Sequence, residues 1–126
     1  MLQRGDQVPH FDVTTIDGQR FSYSAVWQQK MLLLVALPAL ESESSRRYLS
    51  ALTASRRLFE DDTACVVTRD RVPQVASCAV VIADRWGEIA FAVEKDDAAD
   101  LPPPRELGEW LDFLRNRCPE CEGEAR

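Results

Sequence analysis

The sequence predicts a single α/β domain built on a central mixed sheet, and three observations carry that prediction. Met31-Leu-Leu-Leu-Val-Ala-Leu37 is an unbroken apolar run without period-2 alternation, which reads as a strand buried on both faces. A helical pattern and a second apolar run, Thr63–Thr68, follow it, and strand–helix–strand implies a parallel pair joined by a right-handed crossover. Cys78–Ala83 and Glu88–Val93, joined by Asp84-Arg-Trp-Gly87, then read as a hairpin that leads into a last amphipathic helix.

The 126 residues, 45% apolar and 29% charged, suit one ordinary folded core. A net charge of −6 supplies no basic face, so neither nucleic acid nor an anionic membrane is expected as a partner. No apolar run is long enough to cross a bilayer, and the first residues lack the apolar stretch of a secretory signal, so the expected location is cytoplasmic. There, Cys65, Cys78, Cys118 and Cys121 are expected to be reduced, metal-bound or redox-active and not structural disulfides.

In chain order, Phe11–Ile16 and Gln19–Tyr23 flank Asp17-Gly18, a two-residue hairpin signal because both positions tolerate positive φ. Ser24–Lys30 reads as a helical turn. After the first buried strand, Pro38 ends the ladder for want of an N–H, and Ser42 or Ser44 caps a helix with acidic residues near its positive end. That helix is expected to run to about Asp62, with Tyr48, Leu52 and Phe59 on its apolar face and Leu49 and Leu58 at the edges. Arg69–Ser77 is too short for a second crossover helix. In the late hairpin, Ile89, Phe91 and Val93 alternate as in a half-covered outer strand, and Glu94–Leu101 reads as acidic and exposed. Pro102-Pro-Pro104 opens the final helix, where Leu107, Trp110, Leu111 and Leu114 keep helical spacing and the end falls before Pro119. A βαβ unit followed by ββα is the core of the thioredoxin-like fold, here with helices on both faces and shortened after Thr68. The domain is expected to span residues 1–117, with 118–126 as a tail.

Several of these motifs resemble one family. Gly5-Asp-Gln-Val-Pro-His-Phe11, Asp17-Gly18, the strand ending in Leu37-Pro38 and the Asp84-x-x-Gly87 hairpin together resemble peroxiredoxins of the alkyl hydroperoxide reductase type. Cys118-Pro-Glu-Cys121 behind a Trp-bearing helix is similar to a bacterial peroxiredoxin-like subgroup. The family's catalytic pattern is Pro-x-x-x-Thr/Ser-x-x-Cys, and this chain reads Pro38-Ala-Leu-Glu-Ser42-Glu-Ser-Ser45. Proline and hydroxyl are in register, and Ser45 stands where the resemblance expects the peroxidatic thiolate. A serine hydroxyl neither ionises near neutral pH nor forms a sulfenic acid, so peroxide reduction at that position is expected to be absent. The family's peroxide-orienting arginine has no counterpart just before Cys78. At the Ser45 turn two readings stand: a plain helix cap, or an anion-binding pocket completed by Arg46 or Arg47.

The thiols leave further readings open. Cys118 and Cys121 are a redox dithiol, half of a zinc site, or an inert pair. Their place after a helix C-terminus, whose partial negative charge opposes a thiolate, weighs against the first, and Arg115 and Arg117 offset only some of that. The last helix should end at the foot of the sheet, roughly 18 Å or more from Ser45 at ~1.5 Å per helical residue, so the pair cannot resolve chemistry there. Cys65 belongs at that lower end, either as core or as a third ligand or exchange partner. Cys78 opens an antiparallel strand near Ser45, as a buried hydrophobe or a relocated nucleophile. His10 reads as a surface residue, and Trp27, Trp86 and Trp110 as packing. The expected activity is thiol–disulfide exchange at Cys118 and Cys121 with protein thiols or small oxidants as partners. The alternative is a non-catalytic binding or dimerisation module whose pair is inert or holds zinc. The resemblance also implies a homodimer.

Overall fold

The computed structural model describes residues 2–56, 59, 61–75 and 77–116. Strands β1 (Asp12–Thr14) and β2 (Arg20–Ser22) form an antiparallel hairpin, and β3 (Met31–Ala36), β4 (Thr63–Thr68), β5 (Cys78–Ala83) and β6 (Ile89–Lys95) form a sheet in the order β4-β3-β5-β6. Helices α1 (Glu43–Ala54) and α2 (Pro104–Arg115) complete the fold. β3 pairs parallel to β4 and antiparallel to β5, as strand–helix–strand followed by a hairpin requires. Every residue of β3 and of β5 is buried, the result of covering both faces of two central, wholly apolar strands.

Alternation along β3 divides the core in two. Leu33, Val35 and Leu37 meet Tyr48 and Leu52 of α1 and Leu107, Leu111 and Leu114 of α2 on one face. Leu32, Leu34 and Ala36 meet Phe11, Val13, Tyr23 and Val72 on the other. Helices were expected on both faces; α1 and α2 share one, and among the described residues the other carries only the 3-10 turn Tyr23–Ala25 within the hairpin layer. The physical reason is the short β4–β5 connection, which contributes buried Val72 but has no length for a helix. Tyr48 Oη donates to Pro102 O, tying α1 to the segment that opens α2.

Five local expectations need correction. The hairpin loop has three residues, Ile16-Asp17-Gly18: Thr15 N donates to Gln19 O, Gly18 N to Thr15 O, and of Asp17 and Gly18 only Gly18 has positive φ, at 88°. The first helix stops at Ala54, with Ser55 N donating to both Ala51 O and Leu52 O in a tightened last turn. Thr53 and Ser55 are weak helix residues, and the Thr53 hydroxyl bonds back to Leu49 O. Phe59 still packs on the helix-side core, from outside the helix, and Leu58 lies outside the described residues.

In β6, Ala83 pairs with Ile89 while Ile82 pairs with Phe91, so the extra residue of a bulge intervenes. Ile89 consequently lies on the hairpin side and Phe91 and Val93 on the helix side, where simple alternation had put all three together. The segment Glu94–Leu101 is not a free acidic loop. Glu94 accepts from Ser77 N, and Ala98 and Leu101 are buried under α1 and α2. Trp27 and Trp86 are surface residues, 36% and 49% exposed, joined by a bond from Trp27 Nε1 to Trp86 O, while Trp110 stacks on Phe91.

Candidate functional site

The parallel strand β3 delivers the chain to the N-terminus of α1 at the top of the sheet. Leu37 stays buried, Pro38 turns out into solvent, and Ser42 takes the N-cap position with extended backbone (φ −70°, ψ 150°). Its Oγ accepts from Ser45 N at 3.2 Å, so of the two candidates Ser42 is the cap. Ser45 is thereby rotated inward and is 1% exposed. Its Oγ is buried and makes no hydrogen bond. Arg46 and Arg47 stay on the outside of the helix, exposed, and Arg47 pairs with Glu43 one turn away. The described geometry therefore turns no arginine toward Ser45.

Of the two described cysteines, Cys78 is the one at this end of the sheet. The register Ala36↔Ala79 puts the start of β5 at the top of the sheet, on the same face as α1. Burial pushes the Cys78 thiol up, and the charge of Asp97 pushes it further. The Ser45 hydroxyl is near enough to offset a little of that rise, without the geometry of a hydrogen bond. Asp97 itself is held below the usual carboxylate range by the Ala99 N–H and the Ser44 hydroxyl, so it remains charged beside this site. Nucleophilic thiol chemistry needs a thiolate, and here burial and a fixed carboxylate both act against one. The N-terminus of α1 thus brings together a buried hydroxyl and a buried thiol whose charged form is disfavoured.

Cys65 is placed quite differently from an internal cysteine. β4 is the outer strand, and Cys65 on it is exposed, in a groove of about 500 Å³ between α1 and the β1–β2 hairpin. The groove walls still desolvate the thiol and raise it, against the pull of the Arg56 guanidinium. No local signal in Thr63-Ala-Cys-Val-Val-Thr68 separates an edge strand from a central one; the strand order does. At the foot of the sheet Arg115 of α2 makes a bidentate pair with Asp62, at 2.7 Å (Nε to Oδ2) and 3.0 Å (Nη2 to Oδ1). The last described turn of α2 is thus fixed beside the start of β4, at the end of the sheet opposite Ser45. Cys118 and Cys121 lie outside the described residues. Among those residues no group of three or more His, Cys, Asp or Glu is placed to hold a metal. None of their helices is long and apolar enough to cross a membrane. His10 is exposed, with its ring 5.2 Å from that of Trp27.

No family model matches the chain, and no curated protein sequence matches it. Solved structures do. Reduced 2-Cys peroxiredoxin from Plasmodium vivax superposes with a TM-score of 0.73 at 13% identity, over 89% of this chain and 96% of that one. A thioredoxin-family thiol:disulfide interchange protein from Chlorobium tepidum TLS gives 0.64 at 10% identity, over 90% and 99%. A peroxiredoxin-like protein from Aquifex aeolicus gives 0.64 at 14% identity, over 90% and 88%. With a parallel β3–β4 pair, an antiparallel β5–β6 hairpin and α1 and α2 on one face, the chain has the thioredoxin-like fold that these structures share.

Proposed function

We propose that this protein performs thiol–disulfide exchange through Cys118 and Cys121 and does not reduce peroxide at the N-terminus of α1. One observation carries the second half: where the resemblance expects a thiolate, Ser45 presents a buried hydroxyl, and its sulfur neighbour Cys78 is held protonated by burial and by Asp97. The first half draws support from the fold, since two of the structural neighbours are described as thiol:disulfide interchange proteins. It also draws on the Cys-x-x-Cys spacing, which closes a small disulfide ring. In the exchange, one tail thiolate attacks a disulfide of a protein or small molecule and expels one thiolate. The second tail thiol then attacks the mixed disulfide, releases the other substrate thiol and leaves Cys118 joined to Cys121. Two electrons pass from the tail to the substrate disulfide, and the expelled thiolates take up the two protons.

Free thiols counted before and after oxidised glutathione should fall by two, and Cys118→Ser should abolish that paired loss. Peroxide consumption with thioredoxin as reductant should stay at the buffer rate. Stoichiometric zinc in freshly purified protein, or robust peroxide turnover, would overturn the proposal.

A further inference from the structure

Helix α2 carries more than the face it buries. Leu107, Leu111 and Leu114 enter the helix-side core, and beside them Glu106, Glu109, Trp110 and Phe113 follow i, i+3, i+4, i+7 as a second stripe. Together with Arg4 of the N-terminal arm, these four side chains line an open cavity of about 340 Å³. Trp110 and Phe113 meet nearly at right angles, with ring centroids 6.0 Å apart and planes at 87°. Phe91 stacks on Trp110 at 5.2 Å and holds it in place, whereas Phe113 is 51% exposed.

The walls select a cation. An aromatic ring attracts one through its quadrupole, and a carboxylate does so through its charge. Two of each surround one cavity here. Neither Glu106 nor Glu109 forms an ion pair among the described residues, although Arg105 lies one turn from Glu109. The cavity already holds a cation from its own chain, since the guanidinium carbon of Arg4 lies 5.9 Å from the centroid of the Trp110 ring. Two carboxylates against one guanidinium leave it one positive charge short. The arm is pinned just behind Arg4, where Gly5 N donates to Ile89 O at 2.8 Å and Ile89 N to Asp6 O at 2.9 Å. The exposed Arg4 side chain can therefore leave the ring while the arm stays in place.

A guanidinium suits these walls better than an ammonium, because it stacks on an aromatic face and offers several N–H donors to flanking carboxylates. A small-molecule site encloses most of its ligand, but this cavity is open, with Phe113 and both glutamates exposed. It can cover a side chain presented by a larger surface. The net charge of −6 steers basic proteins toward this chain. We infer that Glu106, Glu109, Trp110 and Phe113 form a docking site for an arginine side chain of a partner protein, and that Arg4 fills it until displaced. Docking here does not depend on which thiols react.

The test is a titration of the isotope-labelled full chain with capped glycyl-arginyl-glycine amide, followed at the indole Nε1–H signals. Trp27→Phe, Trp86→Phe and Trp110→Phe assign those signals. The Trp110 signal should move saturably, and those of Trp27 and Trp86 should stay. The citrulline counterpart keeps the shape without the charge and should leave Trp110 unmoved. The lysine counterpart should bind about threefold more weakly for want of a stacked guanidinium. Glu106→Gln combined with Glu109→Gln should weaken binding about fivefold, as two exposed ion pairs would. Arg4→Ala should strengthen binding about threefold, because the competing cation is gone. All three substituted side chains are exposed, so these variants keep the fold. An unmoved Trp110 signal, equal shifts with citrulline, equal affinity for lysine, or a response centred on Trp27 or Trp86 would each overturn the inference. So would unchanged affinity in Arg4→Ala or in the double glutamate variant.

Discussion

Two serines three residues apart at the start of α1 should respond to alanine with opposite signs. Ser45 Oγ is buried without a hydrogen bond, and an unmet buried polar group costs about 1–3 kcal/mol. Ser45→Ala removes that cost and gains up to ~0.5 kcal/mol of helix propensity. Against this stand the dispersion contacts of one lost oxygen, at ~0.1–0.2 kcal/mol each, or about 1 kcal/mol in all. The net is a stabilisation of about 1 kcal/mol, which for a chain of this size raises Tm by roughly 3–6 °C. Ser42→Ala loses the 3.2 Å bond from Ser45 N and should destabilise by about 1 kcal/mol. Urea unfolding followed by circular dichroism resolves both, since 1 kcal/mol at an m-value of ~2 kcal/mol/M moves the midpoint by about 0.5 M. If Ser45→Ala were instead less stable by 1 kcal/mol or more, Ser45 Oγ would have a partner in solution. The reading of this turn as a junction without a ligand would then be refuted.

Two further outcomes follow from the same coordinates. Gly87 turns the β5–β6 hairpin at φ 88°, and a Cβ there would meet Gln7 Oε1 at 3.0 Å, Tyr23 Oη at 3.1 Å and Trp27 Nε1 at 3.2 Å. Gly87→Ala should therefore cost about 1–3 kcal/mol by urea unfolding, and a neutral result would contradict the tight packing of the N-terminal arm on this turn. The Arg115 guanidinium beside Asp62 holds its carboxyl below the usual range. A depressed folded-state pKa contributes stability that is complete above the unfolded value near 4 and is lost as pH falls through the folded value. Asp62 is 41% exposed, so the contribution is below ~1 kcal/mol. Between pH 4 and 2 the stability of Asp62→Asn should fall less steeply than that of the parent chain, and equal slopes would refute the clamp.

What could be read in the residues was whatever depends on neighbours in sequence. The apolar run Met31–Leu37, the cap at Ser42 and the Asp84–Gly87 turn all appear in place, because burial on two faces, a hydroxyl before a helix and a glycine at positive φ are local requirements. What escaped depends on the sheet as a whole. Cys65 sits in an apolar stretch yet is exposed, since β4 has a neighbour on one side only. Ile89 changed faces because one extra residue opposite Ala83 resets the alternation, and nothing in Glu88–Val93 marks the bulge. The inward turn of Ser45 was hidden because the Ser42 bond fixes the first turn, whereas the place of Cys78 near Ser45 was legible in the antiparallel course of β5.

These placements separate the two ends of the sheet by what a sulfur can do there. At the top, the positive end of α1 would favour a thiolate, but the position that would use it carries oxygen, and the sulfur beside it is desolvated and faces Asp97. At the foot, desolvation also raises Cys65, yet its charged neighbour is Arg56, which favours the thiolate, and its surface is open. The charges at the two ends therefore have opposite signs. Burial raises the thiol at both positions, and the neighbouring charge adds to that rise at Cys78 and works against it at Cys65. The exchange proposed above therefore asks nothing of the N-terminus of α1, where Ser45 and Cys78 are both buried.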